Sequence, residues 1–266
     1  MKSAEEQYTD DINDRFGGYF AAWTPGAPVA LGDYGFLEDN AFRRVGNLAS
    51  LGIAFKRMED PSAETIGPFK SSASTQVSFK AAGTAVPPGS VFTQAEAGLS
   101  IEFSEEHSTV FVAEDCRQPQ IEDLVALEDV LRDRYDKDKW DRHWRIVATV
   151  VESSATSVLI SSSSQARVDL KVDAGLGAPG LATLGNASAG LSVASSRNME
   201  LVFLAKPATP LFKLVHLRIP LIGRNHVVFG MSGGAGRDLS PADIKAQKQR
   251  LRLVEETGVR KRSSRG

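Results

Sequence analysis

The chain has 266 residues, 42% of them apolar, which is enough to bury one large domain or two small ones and excludes a disordered or collagen-like polymer. Its 31 basic and 33 acidic residues give a formal charge of −2 and exclude a nucleic-acid wrapper at the whole-chain level. A single cysteine, Cys116, excludes an internal disulfide, the acidic first twenty residues do not read as a secretory leader, and no apolar run is long enough for a transmembrane helix.

These features read as a chain that starts in the cytoplasm. Residues 1–19 form a polar lead-in. From Phe20 to Phe55, short apolar pieces alternate with Gly and Pro, as in turns between short strands. Val77 and Phe79, then Leu99, Ile101 and Phe103, recur at period two, which predicts half-buried strands on either side of a loop at Val86-Pro87-Pro88-Gly89. A helix follows, with Pro119 in its first turn, Glu122 and Asp123 near its start, and Ile121, Leu124, Val125, Glu128 and Leu131 at helical spacing. The β-branched run from Trp144 to Val151 predicts a strand continuing through Val158-Leu159-Ile160, and Val168, Leu170 and Val172 alternate with Arg167, Asp169 and Lys171. Residues 174–196 are 23 uncharged positions too rich in glycine for a helix. Strands at Met199–Ala205 and Leu211–Ile219 precede a final helix, with Ser240 as cap, Pro241 at its first position and Gly258 as its stop. Residues 237–266 carry nine basic against four acidic residues, whereas the rest of the chain carries 22 against 29, so a basic tail is set on an acidic body.

Motifs for catalysis fail on their context. Gly175 to Gly180 matches G-x-G-x-x-G, but no helical pattern follows to receive a pyrophosphate. Gly230 to Gly234 matches G-x-S-x-G around Ser232, yet His107, His143, His216 and His226 all precede it, whereas that elbow needs a later histidine. No His/Cys spacing suits a metal, and no cofactor is implied. Cys116 reads as small packing rather than a nucleophile paired with His107, and Trp23, Trp140 and Trp144 read as core.

A membrane β-strand needs about 9–11 alternating residues. Two regions, roughly 70–113 and 144–204, offer that pattern, each able to open as a hairpin. Val77, Phe79, Leu99, Ile101 and Phe103 would meet lipid on the first while Lys80, Ser100 and Glu102 face water. On the second, Val147, Val150, Val168, Leu170 and Val172 would meet lipid opposite Arg167, Asp169 and Lys171.

The order of elements over residues 20–222 resembles the pore-forming domain of the gasdermin family. The stretches that carry the likeness are Val29-Ala30-Leu31 to Phe42-Arg43-Arg44-Val45, the strand pair from Ser71 to Ala113, and the helix Ile121–Tyr135. After them come Trp144 to Glu152, and Ala189-Gly190-Leu191-Ser192 running into the Ala205 to Leu214 segment. The likeness lies in layout and strand character. It implies an α+β fold, a twisted antiparallel sheet with peripheral helices, able to extend two β-hairpins into a membrane β-barrel. The domain would occupy 20–236 and a basic C-terminal helix and tail 237–266. The implied function is that of a non-enzymatic, cytoplasmic cell-death or defence effector. It would move to the inner face of the plasma membrane, bind acidic lipid, and assemble as a ring of its own copies or with a close paralogue, with no nucleic-acid partner. The short chain is like bacterial and fungal members. Activation would come from a protease removing a segment within Asp238–Gly266, or without cleavage. Two departures stand out: residues 1–16 are acidic where the family commonly begins with a basic helix, and no cysteine lies near the N-terminus for a lipid anchor. Acidic-lipid contacts would therefore come from Arg43 and Arg44 in an early turn and Lys245, Lys248, Arg250 and Arg252 on the last helix, each adding about 1 kcal/mol near an anionic leaflet. The alternatives are a soluble β-rich binding or scaffold protein with a basic tail, and, more distantly, a Ser232 hydrolase.

Overall fold

The computed structural model describes residues 2–59, 64–73, 75–88, 90–172, 184, 190–205, 207–218 and 252–257. Over these the chain is mostly β with two helices, and its strands form three antiparallel sheets, none closed into a barrel.

The polar lead-in contains a helix, α1 (Ala4–Phe16). Ser3 caps it by accepting from Glu6 N, and Glu6 returns the bond to Ser3 N at 3.0 Å. Ala4, Tyr8 and Ile12, four residues apart, bury one face, while Asp14 and Arg15 stand in water.

The base sheet runs in the order β1 (Phe20–Ala21), β15 (Ala208–Arg218), β10 (Arg145–Ser153), β2 (Asp33–Glu38), β3 (Ala41–Asn47). Alongside this path β16 (Arg252–Glu255) pairs with β15, β9 (Gln120–Ile121) with β10, and β4 (Arg57–Met58) with β9. Asp39 and Asn40 close the β2–β3 hairpin with φ of 45° and 64°, the two-residue turn that matches strand twist. Helix α2 (Leu124–Asp136) lays Leu127 and Leu131 into a core with Ile146, Val147, Val150, Phe212 and Trp140. Its cap is Asp123, which accepts from Ala126 N at 2.8 Å, so the helix starts after Ile121, whose residue belongs to a strand.

The middle sheet runs β14 (Met199–Ala205), β11 (Ala155–Ser161), β8 (Thr109–Cys116), β5 (Glu64–Lys70), and the outer sheet runs β13 (Leu191–Arg197), β12 (Arg167–Val172), β7 (Ala97–Glu102), β6 (Gln76–Lys80). The run expected as one strand from Trp144 to Ile160 is therefore two strands: it breaks at the exposed Ser154, and β10 and β11 enter different sheets. The last helix is also revised. Arg252–Glu255 forms β16, and Leu253 N donates to Glu128 Oε2 at 2.7 Å. Ser240 to Leu251, like Gly175 to Gly180 and Ser232, lies outside the described residues.

Candidate membrane-inserting surface

The middle and outer sheets are two halves of one four-stranded array folded at a corner. Each strand of one half is followed or preceded in the chain by the corresponding strand of the other: β5 by β6, β7 by β8, β11 by β12, β13 by β14. The inner pair keeps its register through the bend: from Ile101↔Val168 to Val110↔Leu159 is nine residues on each arm. Backbone bonds continue through the corner, from Phe103 N to Ala166 O at 2.9 Å and from Ser161 N to Ser108 O at 3.1 Å. Small polar residues line it. Ser161 Oγ donates to Glu105 O at 2.7 Å and accepts from Ser108 N at 2.9 Å, and Ser71 Oγ accepts from Thr109 N at 2.8 Å. His107 and Asn198 turn the chain there with φ of 57° and 53°.

Eight of the ten expected lipid-facing residues come together on the inner face of the outer sheet. Leu99, Ile101, Phe103, Val168, Leu170 and Val172 are buried, with Val77 and Phe79 packed beside them. They meet Val110, Val112 and Leu159 of the middle sheet. Val147 and Val150 do not join them; both sit in the base-sheet core on β10, because the strand carrying them ends before the corner array begins.

The opposite face of the outer sheet is polar, as alternation dictates. Arg167 bridges Glu102 at 2.8 Å and Asp169 at 2.9 Å, and Ser100 Oγ donates to Asp169 Oδ1 at 2.5 Å. Lys171 pairs with Glu96 at 2.7 Å, and together with a bond from Thr93 N this holds the Glu96 carboxyl down at about 2. Lys80 is buried and its Nζ donates to the carbonyls of Glu96, Gln94 and Ala81 at 2.7 to 3.3 Å, tying the 81–96 turn to the sheet. Phe92 from the same turn lies on Gly98, where a Cβ would stand 2.4 Å from the ring. A cleft of about 530 Å³ opens beside this face, lined by Gln76, Glu102, Arg167, Asp169 and Arg197 among others. In sequence, the connections from β6 to β7 (81–96) and from β12 to β13 (173–190) carry one acid each, Glu96 and Asp173, and no basic residue.

The expected basic contacts are placed differently. Arg43 and Arg44 lie on β3 rather than in a turn, and each is already paired, Arg43 with Glu5 at 2.8 Å and Arg44 with the buried Asp33 at 2.9 Å. Lys245, Lys248 and Arg250 lie outside the described residues, and Arg252 begins a strand instead of standing on a helix.

Cys116 and His107 flank opposite ends of β8, so they form no dyad, and burial pushes the Cys116 thiol up to about 11. Among the described residues no group of three or more His, Cys, Asp or Glu gathers at metal-binding distance, and no helix is long and apolar enough to cross a membrane. The sequence reading passed over the far face of the middle sheet, where Phe69, Phe111, Val158, Ile160, Leu201 and Phe203 pack beneath α1. The unbroken apolar run Val110 to Ala113 marks a strand buried on both faces and was the available signal.

No protein-family model, curated protein or solved structure matches the chain.

Proposed function

We propose that the protein is a pore former of gasdermin-like type, in which copies gather on an acidic membrane and turn the folded array outward as hairpins of a ring-shaped β-barrel. The observation that carries this reading is the corner. Two strands that keep one register on both sides of a bend lined by serines have only the corner residues 103–108 and 161–166 left to pair to become one longer ladder, and residues 97–116, fully extended, would span about 65 Å. A barrel satisfies backbone groups in hydrocarbon by closing every edge, and β13–β14 and β5–β6 offer the two edges that neighbouring copies would join. The scarcity of charge in the connections 81–96 and 173–190, Glu96 and Asp173 alone, fits a segment that has to pass through the bilayer first. Acidic lipid as partner, a ring of identical copies or of close paralogues, proteolytic release of the tail and action at the plasma membrane's inner face belong to this proposal, with no chemistry and no cofactor required.

The test is dye release. The full chain is incubated with dye-loaded phosphatidylserine-containing vesicles, beside Val193→Lys. Val193 is 48% exposed, so the folded chain tolerates the change, but it pairs with Leu170 and in a straightened array would share its face. A lysine at mid-bilayer costs about 2–4 kcal/mol, so release should fall at least tenfold while circular dichroism stays unchanged. Equal release by both proteins overturns the strand assignment. Silence from the full chain, with and without proteolysis of its tail, returns the protein to the binding or scaffold reading.

A further inference from the structure

The outer-sheet strands are five, six, six and seven residues long, short of the 9–11 that span a bilayer. The missing length has two sources: the hairpin turns or the middle sheet. The turns are poor strand formers, one holding Pro87-Pro88 and the other six glycines and prolines between Gly175 and Gly190. The middle sheet has the pairing already. It is also apolar on both faces, and the phase of its alternation decides which face would join the outer sheet's apolar residues. Leu99, Ile101 and Phe103 share odd numbers with Phe111 and Ala113, while Val168, Leu170 and Val172 share even numbers with Val158 and Ile160. In a straight strand, members of each set point the same way. In the folded array they do not: the corner shifts the phase, so Phe111, Val158 and Ile160 face away from the outer sheet, against α1. Phe16 of α1 packs on Phe69 and Phe111 with ring centroids 5.7 Å apart.

We infer that the middle-sheet face beneath α1 is the second half of the lipid-facing surface, and that α1 is the cover which lifts so that bilayer hydrocarbon takes its place. This rests on the pore-forming reading. Straightening puts the outer sheet's apolar set and the face under α1 on one side, and α1, which carries Glu5, Glu6, Asp10, Asp11 and Asp14, covers that side and cannot enter hydrocarbon. Its polar holds are Arg43 to Glu5 at 2.8 Å, Asn13 Nδ2 to Tyr19 O at 2.9 Å and, from the buried Asn40, Nδ2 to Asp10 at 2.7 Å. Beneath it, burial raises the Asp11 carboxyl above its ordinary range, against the opposite pull of Gln7 and Ser71, so the docked helix carries a charge it would favour losing.

Cys116, the single cysteine, is 2% exposed in the same cluster and reports on the cover. Wild type, Ile12→Ala and Asp11→Asn are compared for N-ethylmaleimide modification of Cys116 without vesicles, and for dye release from phosphatidylcholine–phosphatidylserine vesicles. Ile12→Ala should raise both rates at least about tenfold, and Asp11→Asn should lower both. Wild-type release that stays constant across proteins whose Cys116 rates differ overturns the cover and leaves the pore reading standing. Cys116 rates that differ with no release from any protein overturn the pore reading and the lipid assignment with it. Unchanged Cys116 rates in folded variants overturn the cover directly. Should Ile12→Ala fail to fold by circular dichroism, Asp11→Asn alone carries the comparison.

Discussion

In the base sheet, apolar strands are sealed by partners unlike themselves. Helix α2 brings Leu127 and Leu131, and Tyr34, Trp140 and Trp144 pack ring against ring with centroids 4.7 to 5.5 Å apart. Arg145 and Glu256, both mostly buried, lock the edge strand at 2.8 Å. In the middle and outer sheets, apolar strands are sealed by each other and by α1, joined by Ala21, Val151 and Leu211 of the base sheet, with serines at the bend. The first arrangement has one way to be dry. The second has two, because a surface that covers itself can exchange that contact for any other apolar medium at little change in buried area. Under the pore-forming proposal the regions would have separate tasks, the base sheet as an anchor and the folded array as the part that turns outward.

The comparison breaks most visibly at Leu131, which is fully buried between α2 and the base sheet. Leu131→Ala should cost about 2–5 kcal/mol and lower the melting temperature followed by Trp fluorescence, while dye release per folded molecule stays as in wild type. Release that collapses with the anchor would merge the two regions into one. A smaller effect is expected on the other side. Gly98→Ala places a methyl against the Phe92 ring, costs about 1–3 kcal/mol, and lifts the 81–96 turn from the outer sheet. Here melting should change less than at Leu131, and release should quicken.

The smallest effect concerns acidity. Burial, with Arg145 and Arg218 nearby, holds His216 below the usual imidazole range against the opposite pull of Glu256. The folded chain therefore keeps His216 neutral while the unfolded chain takes up a proton near its ordinary value of about 6.5. Stability is full above that value and is lost as pH falls through it toward the folded value. His216→Gln should flatten this dependence in melting curves between neutral and mildly acidic pH, with the outer sheet's response to Gly98→Ala untouched.

Much of the folded array was legible because its outer strands have one wet and one dry face. Val168, Leu170 and Val172 alternate with charges, and that alternation alone places them. The rest was hidden for identifiable reasons. In β8 and β11 both faces are dry, so alternation disappears, and with it any sign of the phase shift at the corner. Ser154 gives no local warning that the β-branched run on either side of it changes sheets, since only tertiary pairing sets that break. The N-terminal helix had its signals in Ser3, Glu6 and the Ala4, Tyr8, Ile12 stripe, outweighed by five acids, of which Glu5 and Asp10 are partnered by Arg43 and Asn40 and Asp14 is exposed. The opposite error arose at Arg252–Glu255, which fall within the helix expected from Ser240 and Pro241 but pair with the β15 edge as a strand. Of the ten residues expected to meet lipid, eight share one apolar cluster between the outer and middle sheets, while Val147 and Val150, of the same composition, lie in the base-sheet core.

Glu128 interrupts the apolar stripe of α2, and its carboxylate accepts from Arg132 and from Leu253 N at 2.7 Å. That single dehydrated acid gives the returning chain an address. If β16 slid along β15 by one residue, a proline-free backbone would still find carbonyls to bond, but Glu128 would lose its amide and the Arg145–Glu256 clasp would part. The C-terminal strand is thus keyed to one alignment by side chains from two other elements, and a long excursion before it leaves the final docking position unambiguous.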